Sequence, residues 1–208
     1  MEAGNRCYDE NVPEEANRKV VDSLSSYLLP YTQRSREQLL TEGYHPSKII
    51  VTGNPITEVL EKHMKKAIEP TIKDYILVTL HRDENVTNKE TLSEIIEALN
   101  EIGKTTKVIL SAHPKMEEMV MKFGLTFGQN IEVSKPFGFH VFLGLEKFAK
   151  CVLTDSGTVP EECAIIKTPC ILIRTSTERP ELLETNTMIL SGVSKDEILS
   201  NYDVACKL

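Results

Sequence analysis

An apolar run from Cys151 to Leu153 ends in Thr154, Asp155, Ser156 and Gly157, and a helix opens at Val159–Pro160 with Glu161 and Glu162 in its first turn. Small residues at a strand-to-helix turn let a phosphate approach bare backbone N–H groups at the helix N-terminus. A glutamate one turn further on can accept hydrogen bonds from ribose hydroxyls. Ser156, Gly157, Glu161 and Glu162 are therefore candidates for holding a nucleoside diphosphate. The same residues also read as an ordinary helix start, with Ser156 as N-cap and an acidic first turn favoured by the dipole. The other loops have to decide between the two.

Those loops carry chemistry of their own. His81-Arg82-Asp83-Glu84-Asn85 follows one apolar run, and His113-Pro114 follows the next. Lys135-Pro136-Phe137-Gly138-Phe139 and the stretch Arg174 to Glu181 follow two others. A histidine there can move a proton or donate to a phosphate. Arg82, Arg174 and Arg179 can pair with phosphate, or simply solvate a face. Phe137 and Phe139 can stack on a base or join the core. Glu2, beside a glycine turn, and Glu14, at a helix start, can share acid and base work, although a first-turn glutamate is also a plain dipole effect.

The elements that must position these residues are legible as alternating runs. Strands are expected at Tyr75–Thr79, Lys107–Leu110, Asn130–Val133, Cys151–Thr154, Cys170–Arg174 and Met188–Leu190. Between them lie helices, one with Leu92, Ile95, Ile96, Leu99 and Ile102 on a single face and others near Pro114–Phe123, Phe142–Phe148 and Val159–Ile166. Continuous apolar strands alternating with helices predict a parallel α/β sheet covered on both faces, with ligands at the carboxyl ends of the strands. Ahead of this unit, helices are expected from Pro13 and over Ser35–Glu42. Strands are expected at Tyr27–Pro30 and Lys48–Thr52, and a polar helix from Ile56 to Ala67 is broken at Glu69-Pro70. The expected division is 1–55, a linker over 56–72, and 73–208.

The 208 residues carry a formal net charge of −7, which excludes the clustered basic surface of a nucleic-acid binder. Five cysteines, Cys7, Cys151, Cys163, Cys170 and Cys206, have no metal-ligand spacing and several lie in apolar runs. They predict free thiols in a reducing, cytoplasmic setting. No metal, no cofactor and no membrane association are expected. Both ends read as cut, so a piece of a longer chain is expected.

Taken in order, Glu2-Ala3-Gly4-Asn5-Arg6, Pro13-Glu14-Glu15-Ala16-Asn17-Arg18, Thr52-Gly53-Asn54, His81-Arg82-Asp83-Glu84-Asn85, Thr154-Asp155-Ser156-Gly157 with Glu161-Glu162, and Thr177-Glu178-Arg179-Pro180-Glu181 resemble the non-hydrolysing UDP-N-acetylglucosamine 2-epimerases. The resemblance covers nearly the whole chain. It implies a GT-B-like enzyme of two Rossmann-like domains, of which this chain holds the end of the first and most of the second. It implies anti elimination of UDP from a UDP-sugar and re-addition on the other face, within polysaccharide precursor synthesis, by a homodimer when full length. It assigns catalysis to Glu2, Glu14 and His81, and UDP binding to Arg82, Phe139, Ser156, Gly157, Glu161 and Glu162. His113 falls near the family's allosteric site. Departures are Thr158 for a second glycine, and Asn5 for the usual Leu with the Lys135–Phe139 loop; these last two resemble the UDP-N-acetyl-L-fucosamine-forming branch. A GT-B glycosyltransferase and a UDP-sugar-binding piece without turnover stand as alternatives.

Overall fold

The computed structural model describes residues 1–10 and 12–207. Its helices are α1 (Pro13–Leu24), α2 (Gln33–Thr41), α3 (Ile56–His63), α4 (Asp83–Val86), α5 (Lys89–Gly103), α6 (Pro114–Phe123), α7 (Phe139–Phe148), α8 (Val159–Ile166) and α9 (Lys195–Ala205). Its strands are β1 (Tyr75–Leu80), β2 (Lys107–Ala112), β3 (Ile131–Ser134), β4 (Val152–Thr154), β5 (Cys170–Leu172) and β6 (Met188–Leu190). All six strands pair in parallel in the order β3-β2-β1-β4-β5-β6. The order reverses between β1 and β4, and in such a sheet the crevice for a ligand opens there, beyond the strand ends.

Side chains on a strand alternate between faces, so each apolar run feeds two cores. Ile76, Val78 and Leu80 of β1 pack with Leu92, Ile95 and Leu99 of α5 on one face. Tyr75 and Leu77 pack with Leu145 of α7 and with Val159 and Cys163 of α8 on the other. This two-sided burial is why the strands carry no polar alternation.

Before the sheet, residues 1–55 build a small core from Ala3, Leu28, Leu39 and Ile49. Arg6 ties it together, reaching Asp22 at 2.8 Å and Glu42 at 2.7 Å. The two strands expected here reduce to one bridge, Leu28 to Ile49, with Leu28 N donating to Lys48 O (2.8 Å) and Ile50 N to Leu28 O (2.9 Å). Pro46–Lys48 coils into a 3-10 turn and Ile50 is half exposed, so little holds a longer ladder.

Smaller shifts have local causes. α2 begins at Gln33 because the Thr32 hydroxyl accepts from Ser35 N. α7 begins at Phe139, three residues ahead of expectation, because the Gly138 carbonyl accepts from Val141 N and Phe142 N. β5 stops at Leu172 because Arg174 N turns back to Leu172 O. α3 ends at His63 and a 3-10 turn, Met64–Lys66, leads into the linker. The linker then lies on α7, with Ile68 N donating to His140 O at 2.9 Å.

Candidate active site

The turn after β4 is welded to the turn after β1 by one carboxylate. Asp155 is fully buried. It accepts from His81 N (3.1 Å), Arg82 N (2.9 Å) and Asn85 Nδ2 (3.2 Å). His81 Nδ1 stands 3.0 Å from Asp155 Oδ1, so the ring donates from Nδ1 and its Nε2 is left for a ligand. Sequence reading put His81 and Asp155 on one rim; the structure makes them a carboxylate–imidazole pair. The hydrogen bond it donates to Asp155 raises the His81 imidazole above its ordinary range, against the pull of burial and of Arg82.

Arg82 sits among carboxylates. Its Nη1 is 3.6 Å from Glu14 and from Glu84, and its Nη2 is 3.8 Å from Glu178. Pro13, Glu14, Asn17, His81, Arg82 and Glu84 line an open cavity of about 460 Å³. The candidates His81, Arg82 and Glu14 are thus brought together.

Glu2 belongs to a neighbouring group. Arg179 Nη2 reaches Glu2 at 2.7 Å, its Nε bonds the buried Glu161, and its guanidinium lies 6.0 Å from the Tyr31 ring centroid. Glu2, Tyr31, Asn54, Thr158 and Glu161 line a second cavity of about 250 Å³. Glu2 and Glu14 therefore line separate cavities. Glu178 and Arg179, adjacent in the chain, connect the two groups. Burial pushes the Glu178 carboxyl up, but the guanidiniums of Arg174, Arg179 and Arg82 outweigh it and hold the group below the usual range. Burial raises the Glu161 carboxyl despite Arg179.

The remaining candidates fall as follows. Ser156 is not the N-cap residue of α8; Thr158 is, two residues later than expected. The Ser156 hydroxyl still does the capping, accepting from Thr158 N at 3.2 Å and Val159 N at 3.5 Å. Gly157 runs close against the charge cluster: a Cβ there would come within 2.6 Å of Glu178 Oε1. Glu162 faces Glu146 of α7. Phe139, 40% exposed at the start of α7, lies edge-on to His63 at 5.5 Å, whereas Phe137 packs against the core; the two phenylalanines part company. His113 caps α6, its Nδ1 accepting from Lys115 N at 3.3 Å.

Residues that sequence reading left out of its site are Asn85, Glu178 and Glu146, with Asp155 in its orienting role. Asn85, Asp155 and Glu178 lie inside motifs quoted above, which is the available signal. Glu146 had only its charge in an apolar helix. Among the described residues no group of three or more His, Cys, Asp or Glu side chains is arranged to hold a metal ion. Nor, among the described residues, is any helix long and apolar enough to cross a membrane.

The family model for UDP-N-acetylglucosamine 2-epimerase matches residues 1–207. A UDP-N-acetylglucosamine 2-epimerase of Methanocaldococcus jannaschii is 39% identical over 98% of this chain and 60% of its own length. A UDP-2,3-diacetamido-2,3-dideoxy-D-glucuronate 2-epimerase of Pseudomonas aeruginosa is 32% identical over 97% of this chain and 58% of its own. The crystal structure of the M. jannaschii UDP-GlcNAc 2-epimerase in complex with UDP-GlcNAc and UDP superposes with a TM-score of 0.94, at 38% identity, over 100% of this chain and 62% of that one. The chain therefore spans about 60% of the length of the relatives it matches. The parallel sheet, the rim of charged loops and these likenesses agree, and the chain belongs to the UDP-N-acetylglucosamine 2-epimerase family, with its GT-B-like fold.

Proposed function

We propose that this chain supplies the UDP-binding lobe and catalytic carboxylates of a UDP-N-acetylglucosamine 2-epimerase. In this reading residues 1–55 are the end of a first domain and 73–208 a second, joined by 56–72. The observation that carries it is the Asp155–His81 pair placed beside Arg82 at the switch point of the sheet. Elimination takes the C2 proton to a carboxylate, turns the C2–H electrons into a C1–C2 double bond, and breaks the C1–O bond so that its electrons leave with UDP. Re-addition reverses these steps on the other face of the sugar. Glu2 and Glu14 are the groups for proton removal and return. His81 Nε2, with Arg82, meets the charge that grows on the departing pyrophosphate. The N-terminus of α8, with Ser156 and Gly157, holds phosphate, Glu161 lines the site beside it, Glu162 accepts from the ribose, and Phe139 offers a face for the base. His113 is left for a regulatory UDP-sugar. The free thiols support a reducing cytoplasm, and the family resemblance supports a homodimer.

Titration of UDP tests the binding half of this reading. Wild-type chain is expected to saturate, and Glu162→Ala to lose roughly 1.5–3 kcal/mol of affinity, the worth of a charge-assisted acceptor. Unchanged affinity in Glu162→Ala would remove the ribose assignment.

A further inference from the structure

Glu146 is a charged residue where none is expected. It sits in α7 among Leu143, Leu145 and Phe148 and is 0% exposed. Neither of its oxygens has an N–H or hydroxyl partner among the described residues. What faces it is another carboxyl, Glu162 of α8, within hydrogen-bond reach. Two carboxylate anions in contact away from water would repel at great cost, and both are acceptors only. A carboxyl pair so enclosed is stable when it holds one proton between its members. The other titratable groups of this buried region are Glu161 and Cys163 on α8, Cys170 on β5 and Tyr75 on β1, whose hydroxyl is spent on the Leu145 carbonyl. None is a cation, and Arg179 is taken by Glu161 and Glu2.

We propose that Glu146 is a positioning residue that keeps one proton and donates it as an O–H···O hydrogen bond to Glu162, holding Glu162 ionised and oriented to accept the two ribose hydroxyls of UDP. The proton stays on Glu146 because it is the more deeply enclosed of the two; Glu162 is 7% exposed. Burial, then the charges of Cys163 and Glu162, push the Glu146 carboxyl up to about 11, so the arrangement persists at neutral pH. Burial, and the charge of Glu161, raise Glu162 too, and the Glu146 hydrogen bond offsets part of that rise. The role rests on Glu162 being the ribose acceptor, as proposed above; the shared proton itself does not.

Two measurements separate those layers. Infrared spectra of the whole chain in deuterated buffer near pH 9 isolate any carboxyl that is still protonated, since ordinary Asp and Glu are then ionised. A carboxylic C=O band in wild type that vanishes in Glu146→Gln is expected; no such band in wild type overturns the shared proton. The second measurement is the affinity ratio of UDP to 2′,3′-dideoxy-UDP. Glu146→Gln keeps a donor and should keep the ratio. Glu146→Met removes it, so the ratio should fall about tenfold at neutral pH and recover as pH rises and Glu162 ionises. A ratio in Glu146→Met equal to wild type at every pH overturns the positioning role. A wild-type ratio near one condemns the ribose assignment instead, while the infrared band still judges the proton.

Discussion

At His81 the neighbour decides the proton. Asp155 raises the imidazole above its ordinary value, so the imidazolium persists to higher pH in the folded protein than in the unfolded chain. A group raised on folding contributes stability that is fully present below its ordinary range and is lost as pH rises through the folded value. UDP binding should follow the same direction, because the imidazolium is the form that answers a pyrophosphate. Titrations from about pH 6 to about pH 9 are expected to show affinity falling with pH in wild type and a flatter profile in His81→Asn. Asp155→Asn should move the fall to lower pH. An unchanged profile in His81→Asn would show that His81 does not govern the response.

Arg179 supplies a second expectation at this scale. It neutralises Glu161 in a site that is 7% exposed on both partners. Arg179→Met leaves a buried carboxylate without its cation and should cost roughly 3–5 kcal/mol in urea unfolding. Adding Glu161→Gln should return part of that loss; a double variant no more stable than the single one would mean that the pair is not coupled.

Among the elements, α7 depends on a residue with no side chain. A Cβ built on Gly144 would stand 1.9 Å from the Ile68 carbonyl oxygen, so the linker crosses the helix at a distance only glycine allows. Gly144→Ala should lower unfolding stability by about 1–3 kcal/mol even though alanine is the better helix former. A variant as stable as wild type would mean that the linker does not seat there. This scale also marks the limit of what the sequence discloses. Strands buried on both faces stand out as apolar runs, and Tyr75–Leu80 lies within one residue of expectation. The pairing of Leu28 with Ile49 looked like two strands because short apolar runs do not say whether a third strand flanks them. α7 opened early because a glycine carbonyl, not a side chain, receives its first turn.

Over the whole molecule, the charged loop after β5 joins residues 1–55 to the sheet. Arg179 reaches Glu2 across 177 positions, and the Ser176 hydroxyl donates to Asp9 at 3.2 Å across 167. Arg34 and Glu184 also meet at 2.7 Å, but both are exposed and the pair is worth little. Such distant partners leave no spacing in the chain. Loop chemistry was therefore readable as motifs, while the division of Glu2 and Glu14 between two cavities, and the Glu146–Glu162 contact, required the fold. The reaction itself is tested most directly by isotope exchange. This chain would be joined to the stretch of the M. jannaschii relative that it does not span, then incubated with UDP-N-acetylglucosamine in heavy water. Deuterium is expected at C2 of the recovered UDP-sugar, and is expected to be lost in Glu2→Gln and Glu14→Gln. Release of UDP with C2 unlabelled would contradict the epimerase reading.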